Sequence, residues 1–167
     1  LLLNSYHKVN TSVVLLDSMK NQFKDFPNMN IEVIPNFYDK ELDKKNALKD
    51  ENKIHLLYLS NIVKSKGVFE LIEAFKILDS KYDVKLNIAG DFISDEEMNH
   101  ETVKKEFYKA IKNERNIKYL GLVYGDPKID LLKNSDIFVL PSYHKSEAFP
   151  ISIIEAMRCG NAIVTTN

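Results

Sequence analysis

From Ile54 to Thr165, short apolar runs alternate with stretches of helical periodicity, and that alternation leaves few folds open. His55–Leu59 is a continuous apolar run, as required of a strand covered on both faces. Val68, Leu71, Ile72, Phe75 and Leu78 recur at i, i+3, i+4, i+7 spacing and place a helix from Lys66 to about Tyr82. Val84–Ala89, closed by Gly90, is the next strand. A charged amphipathic helix is predicted over 96–113, with Val103, Phe107, Ala110 and Ile111 inward. Ile117–Leu120 is a strand closed by Gly121. A short helix over 127–133 follows, with Pro127 at its start, where a missing N–H does least harm. The strand Asp136–Leu140, a helix at about 150–159 and a strand at 162–165 complete the run. This order implies an α/β fold with a parallel, right-handed, doubly wound sheet.

Upstream, Ser12–Leu16 reads as a strand. Asp17 or Ser18 caps a following helix whose apolar face is Met19, Phe23 and Phe26. Asn30–Ile34 alternates as a second strand and meets a turn at Pro35-Asn36. Residues 38–53, dense in Lys, Asp, Glu and Asn, read as an exposed, partly helical connection.

Composition excludes several classes. A net charge of −1 gives no electrostatic footprint for nucleic acid or for a polybasic membrane protein. The single cysteine, Cys159, rules out an internal disulfide and a cysteine-based zinc site, and fits a reducing, cytoplasmic setting. No apolar run nears the roughly 18 residues of a membrane span, and Leu1-Leu-Leu3 is too short for a leader. A start without Met and a stop at Thr165-Thr166-Asn167, straight after an apolar strand, read as a piece of a longer protein.

The chemistry concentrates in Glu147-Ala-Phe-Pro-Ile-Ser-Ile-Ile-Glu155. Glu147 follows the carboxyl end of a strand, and Glu155 lies about two turns into the next helix. Ligands of open α/β sheets bind outside the carboxyl ends of the strands. A helix amino terminus there offers free N–H groups and a positive dipole end to an anion. Two carboxylates flanking such a site can hold hydroxyl groups, a combination that suits a nucleotide sugar.

The segment resembles the Glu-x7-Glu element of retaining GT-B glycosyltransferases of family 4, the glycosyl transferases group 1. The flanks match as well: strand, Pro141-Ser142, loop, Glu147, Glu155-Ala156-Met157, Gly160 and an apolar strand. Ile34-Pro35-Asn36-Phe-Tyr-Asp39 is similar to the inter-domain link of that family. The resemblance implies a Rossmann-like, carboxyl-terminal half of a GT-B fold. Residues 1–38 would be the remnant of the acceptor domain and link, 39–53 the exposed connection, and 54–167 the donor-binding domain, truncated at its end.

It also implies roles. Lys66-Gly67 matches the family's Lys-Gly, whose lysine clamps the donor diphosphate. Asn61 stands where the family has Arg, and Ser60 where it has Gly. Asn lacks the charge and the fork of donors that bind phosphate in two places, and Lys64 is a candidate substitute. Glu147 matches the glutamate that orients the donor sugar, and Glu155 the one that accepts the ribose hydroxyls. Lys66 and Glu147 would be the catalytic pair. Backbone N–H groups of Phe149 and Ile151 would face the phosphate, with Pro150 removing one donor and Ala148 replacing a glycine. Val123 would read the base edge and Tyr124 lie against the ring, with an ordinary turn as the alternative. Asp91 after Gly90 and the loop residue His144 are further candidates.

No Asp-x-Asp occurs, so the metal–diphosphate signature of the other main glycosyltransferase fold is missing, and neither metal nor cofactor is expected. The implied partners are a UDP- or GDP-sugar and a glycan or lipid-linked acceptor, with peripheral membrane association of the whole protein. Two alternatives remain: a catalytically silent binding subunit, motivated by Asn61, and a nucleotide-sugar epimerase on the same fold, whose histidine-rich site is not evident.

Overall fold

The computed structural model describes residues 8–38, 40–43, 53–144, 147, 149–150 and 151–166. Asp39, residues 44–52 and Ala148 lie outside them. The chain divides into two compact units, residues 1–37 with 146–151, and residues 38–145 with 152–167.

In the first unit β1 (Thr11–Val14) pairs in parallel with β2 (Asn30–Val33), Val14 opposite Val33. Val14 is its buried anchor at 3% exposure. The connection is not the capped α-helix expected. It is a 3-10 helix over Asp17–Phe23 with Leu16 at its N-cap and no side-chain cap bond. The segment runs on i→i+3 bonds, Met19 N–H to Leu16 O at 3.1 Å and Phe26 N–H to Phe23 O at 2.9 Å. With no cap and Pro27 close behind, it is too short to repay nucleation of an α-helix. Met19, Phe23 and Phe26 are half-buried.

The second unit is built on β3 (Ile54–Leu59), β4 (Val84–Ala89), β5 (Ile117–Tyr119), β6 (Ile137–Leu140) and β7 (Ala162–Thr165). They form one sheet in the order β5-β4-β3-β6-β7, every pair parallel. The helices are α1 (Val68–Asp79), α2 (His100–Ile111), α3 (Gly125–Lys133) and α4 (Ile151–Arg158), the last starting at the final residue of the first unit. Leu57, Tyr58, Leu86, Ile88, Phe138 and Leu140 are at most 1% exposed, as strands covered on both faces must be. Val68, Ile72, Phe75, Val103, Phe107 and Leu132 bring the helices' apolar stripes to the same core. Each such side chain contributes about 1.5–3 kcal/mol by leaving water.

Three helix starts differ from the sequence expectation. Lys66 belongs to a separate 3-10 turn, Lys64–Lys66, and α1 begins after Gly67. α2 begins at His100 because the Asp95 side chain takes the N–H groups of Glu97 (2.9 Å) and Met98 (2.8 Å) into a turn. Asn99 then caps the helix by accepting from Thr102 N–H at 2.9 Å. α3 starts at Gly125, so Pro127 is its third residue, still in the turn whose N–H groups have no helical partner. In the 38–53 segment, Lys40–Asp43 forms a 3-10 turn whose Leu42 is buried at 5%, not exposed. Among the described residues no helix is long and apolar enough to cross a membrane.

Candidate functional site

The strand order places the topological switch between β3 and β6, since the chain adds β4 and β5 on one side of β3 and then β6 and β7 on the other. The loops leaving the carboxyl ends of β3 and β6 therefore meet beside the crevice where such sheets bind ligands. Here they are tied together. Tyr143 N–H donates to Ser65 O at 2.9 Å, and Ser65 Oγ lies 2.8 Å from His144 Nδ1. Ser65 N–H donates to Asp95 Oδ2 at 3.1 Å. Burial pushes the Asp95 carboxyl up, but the N–H groups of Met98, Ser65 and Glu97 outweigh it and hold its pKa below the usual value.

Gly67 explains the Lys-Gly pair physically. Its φ is +73°, and a Cβ there would stand 2.1 Å from the Pro141 carbonyl oxygen. Only glycine lets the turn carrying Lys66 press against the end of β6. Lys66 is half-buried within that turn. Asn61 is exposed, and its carbonyl accepts from the hydroxyl of the buried Tyr58 at 2.9 Å. Lys64 is engaged elsewhere: its Nζ donates to Glu97 Oε2 at 2.5 Å, and that carboxylate holds its pKa above the usual lysine value.

After β5, Val123 is half-buried and Tyr124 is 70% exposed at the N-cap of α3. Glu155 in α4 is buried, 4% exposed. Lys128, in the first turns of α3, donates to Glu155 Oε1 at 2.6 Å. The structure thus brings Glu155 to the helix that begins immediately after Tyr124. Lys128 was missed by the sequence reading. Its signal was a lysine near a helix amino end, where the dipole disfavours a cation unless an anion is close. Asp91 is exposed and spends one carboxylate oxygen on Phe92 N–H at 2.9 Å.

Glu147, Phe149, Pro150 and Ile151 group with the first unit. Glu147 is half-buried, Phe149 and Pro150 are irregular, and Ile151 opens α4 at 45% exposure. Within that unit Asn36 Nδ2 donates to Phe149 O at 2.6 Å. Pro35-Asn36, read from sequence as a turn and a link, is irregular rather than a turn, and Asn36 braces the segment between the two glutamates.

The family model for glycosyl transferases group 1 matches residues 39–167. The chain is 35% identical over 128 residues to the N,N'-diacetylbacillosaminyl-diphospho-undecaprenol alpha-1,3-N-acetylgalactosaminyltransferase of Campylobacter jejuni, covering 77% of this chain and 30% of that protein. It is 33% identical over 128 residues to the capsular polysaccharide biosynthesis glycosyltransferase CapM of Staphylococcus aureus, covering 71% of this chain and 31% of that protein. It thus matches about a third of the length of these curated relatives. Among solved structures, HepE of Anabaena in complex with UDP and glucose superposes with a TM-score of 0.78 at 21% identity, over 98% of this chain and 46% of that one. A glycosyltransferase from Rickettsia africae gives 0.77 at 22% identity, over 96% of this chain and 45% of that one. At those identities the structural likeness speaks for the fold, whereas the family match over residues 39–167 speaks for descent. With the parallel five-stranded sheet and its flanking helices, it establishes that the chain belongs to the glycosyl transferases group 1 on a GT-B, Rossmann-like fold.

Proposed function

We propose that this chain is the donor-binding part of a retaining, metal-independent glycosyltransferase of the family 4 type. The whole protein would move a sugar from a UDP- or GDP-sugar to a glycan or lipid-linked acceptor in polysaccharide or glycolipid assembly. The observation that carries the reading is Glu155, a carboxylate kept 4% exposed with one oxygen on Lys128, on the helix that follows β6. A carboxylate is buried only with polar partners, and a single lysine contact leaves acceptor capacity for a ligand. At the family's second glutamate position its task is to accept ribose hydroxyls.

In this reading Val123 and Tyr124 receive the base, and Glu147 orients the sugar. The backbone N–H groups of Phe149 and Ile151, beside Pro150, meet the diphosphate together with Lys66. These groups stabilise the leaving diphosphate where charge develops. Asn61 contributes at most a neutral hydrogen bond at the place of the family's arginine. No metal is assigned a role. The remaining catalytic groups and the acceptor site belong to the rest of the whole protein, whose association with the membrane surface is part of the same proposal.

The test is to incubate the intact protein with UDP- and GDP-sugars in EDTA and follow nucleotide release and the anomeric configuration of the product by NMR. Release of one nucleotide with retained configuration supports the reading. Inversion, or activity only with added metal, contradicts it. A second reading, a binding subunit without catalysis, is favoured by the exposed Asn61 and by the commitment of Lys64 to Glu97. It predicts nucleotide binding without turnover, and gain of turnover on Asn61→Arg.

A further inference from the structure

Glu155 cannot recognise a ribose simply by being present. Buried at 4%, its carboxylate needs a polar partner to fix it in place. Lys128 meets that requirement. Its Nζ lies 2.6 Å from Glu155 Oε1, and the two side chains are 28% and 5% exposed. The lysine stands in the first turns of α3 (Gly125–Lys133), where the helix dipole opposes a cation. The nearby anion, not helix preference, accounts for its placement. Among the described residues no other side chain bonds to Glu155. A carboxylate accepts about four hydrogen bonds, so one ammonium contact leaves most of its capacity open.

We propose that Lys128 is a positioning residue for ribose recognition: it holds the Glu155 side chain in one rotamer, with its second oxygen presented to the vicinal hydroxyls of a nucleoside diphosphate. The proposal rests on the donor-binding reading. It makes residues 123–128 a single recognition segment, in which Val123 and Tyr124 face the base and Lys128 sets up the ribose through α4. A purely structural pair would make a different prediction, because it would affect stability without affecting which sugar is bound.

The test is calorimetric titration of the intact protein with UDP and GDP and with their 2′-deoxy forms, on wild type, Lys128→Met, Lys128→Arg and Glu155→Gln. A hydrogen bond to a buried charged group corresponds to roughly tenfold or more in affinity. Wild type is expected to prefer the ribonucleotide by about that factor. Lys128→Met is expected to bring the preference down to about twofold while the protein stays folded by circular dichroism. Lys128→Arg is expected to restore part of it. An unchanged preference in Lys128→Met overturns the proposal, as does tighter binding, which would mean that the lysine occupies the ribose position. If wild type shows no affinity or no preference at all, the underlying donor reading fails too, and the indifference of Glu155→Gln to the sugar identifies that failure.

Discussion

Two of the lysine–glutamate pairs on the second unit are nearly equal in length and differ in almost everything else. Lys128–Glu155, at 2.6 Å, joins α3 to α4 with side chains 28% and 5% exposed. Lys64–Glu97, at 2.5 Å, ties the turn after β3 to the segment before α2 with side chains 34% and 46% exposed. Distance alone does not separate them; desolvation does. A surface pair is screened by water and gives little stability, whereas removing one partner of a buried pair strands the other. The contrast assigns different work to the two sides of the crevice. On the α3–α4 side, charge is fixed. On the β3 side, rigidity comes from the backbone, through Gly67 against Pro141 and Ser65 against Tyr143 and His144, and the Lys64–Glu97 pair adds little to it.

The largest effect is expected where the backbone carries the site. Gly67→Ala combines a φ of +73° with a Cβ 2.1 Å from a carbonyl oxygen, and should cost about 3 kcal/mol in urea unfolding. A cost no greater than that of an ordinary surface glycine would break the account of that loop. Glu155→Ala comes next, at about 2 kcal/mol, because Lys128 keeps some access to water when stranded. An unchanged unfolding midpoint would put the two pairs in the same class and remove the comparison. Lys64→Met should leave the midpoint where it is, in high or low salt, since both partners are solvated. A clear loss of stability would show that the β3 side depends on charge after all.

The smallest effect is a pH dependence. Asp95 has a depressed pKa in the fold, so its contribution is present above the ordinary carboxylate value and is lost as pH falls through the depressed one. The amide resonances of Glu97 and Met98, which donate to it, should move together only below the usual aspartate range, near pH 4. A midpoint at or above that range would contradict the turn described for residues 95–98.

The sheet was legible because period and punctuation agreed. Val84–Ala89 ends where Gly90 must, with a Cβ there falling 1.8 Å from Ser60 O. Likewise the apolar runs at 54–59 and 137–140 became central strands. What was not legible depended on side-chain bonds and on partners far along the chain. Helical charge and spacing at 96–99 read as helix, but the Asp95 side chain takes the N–H groups of Glu97 and Met98, and Asn99 caps the helix that starts at His100. Lys66 looked like a helix-start cation, yet Gly67 gives way to Pro141, a contact between residues far apart in sequence. For the proposed site, Glu147, Glu155 and Lys66 were singled out by motif spacing. Lys128 and Asn36 were not, because each acts through one long-range hydrogen bond, to Glu155 and to Phe149 O.

The most direct test of the central claim is calorimetric titration of the intact protein with UDP and GDP, repeated on Lys66→Ala and Glu155→Ala. The account predicts saturable binding of one of the two nucleotides, weakened about tenfold or more by each substitution. Binding that survives both substitutions unchanged, or a folded protein that binds neither nucleotide, would contradict it.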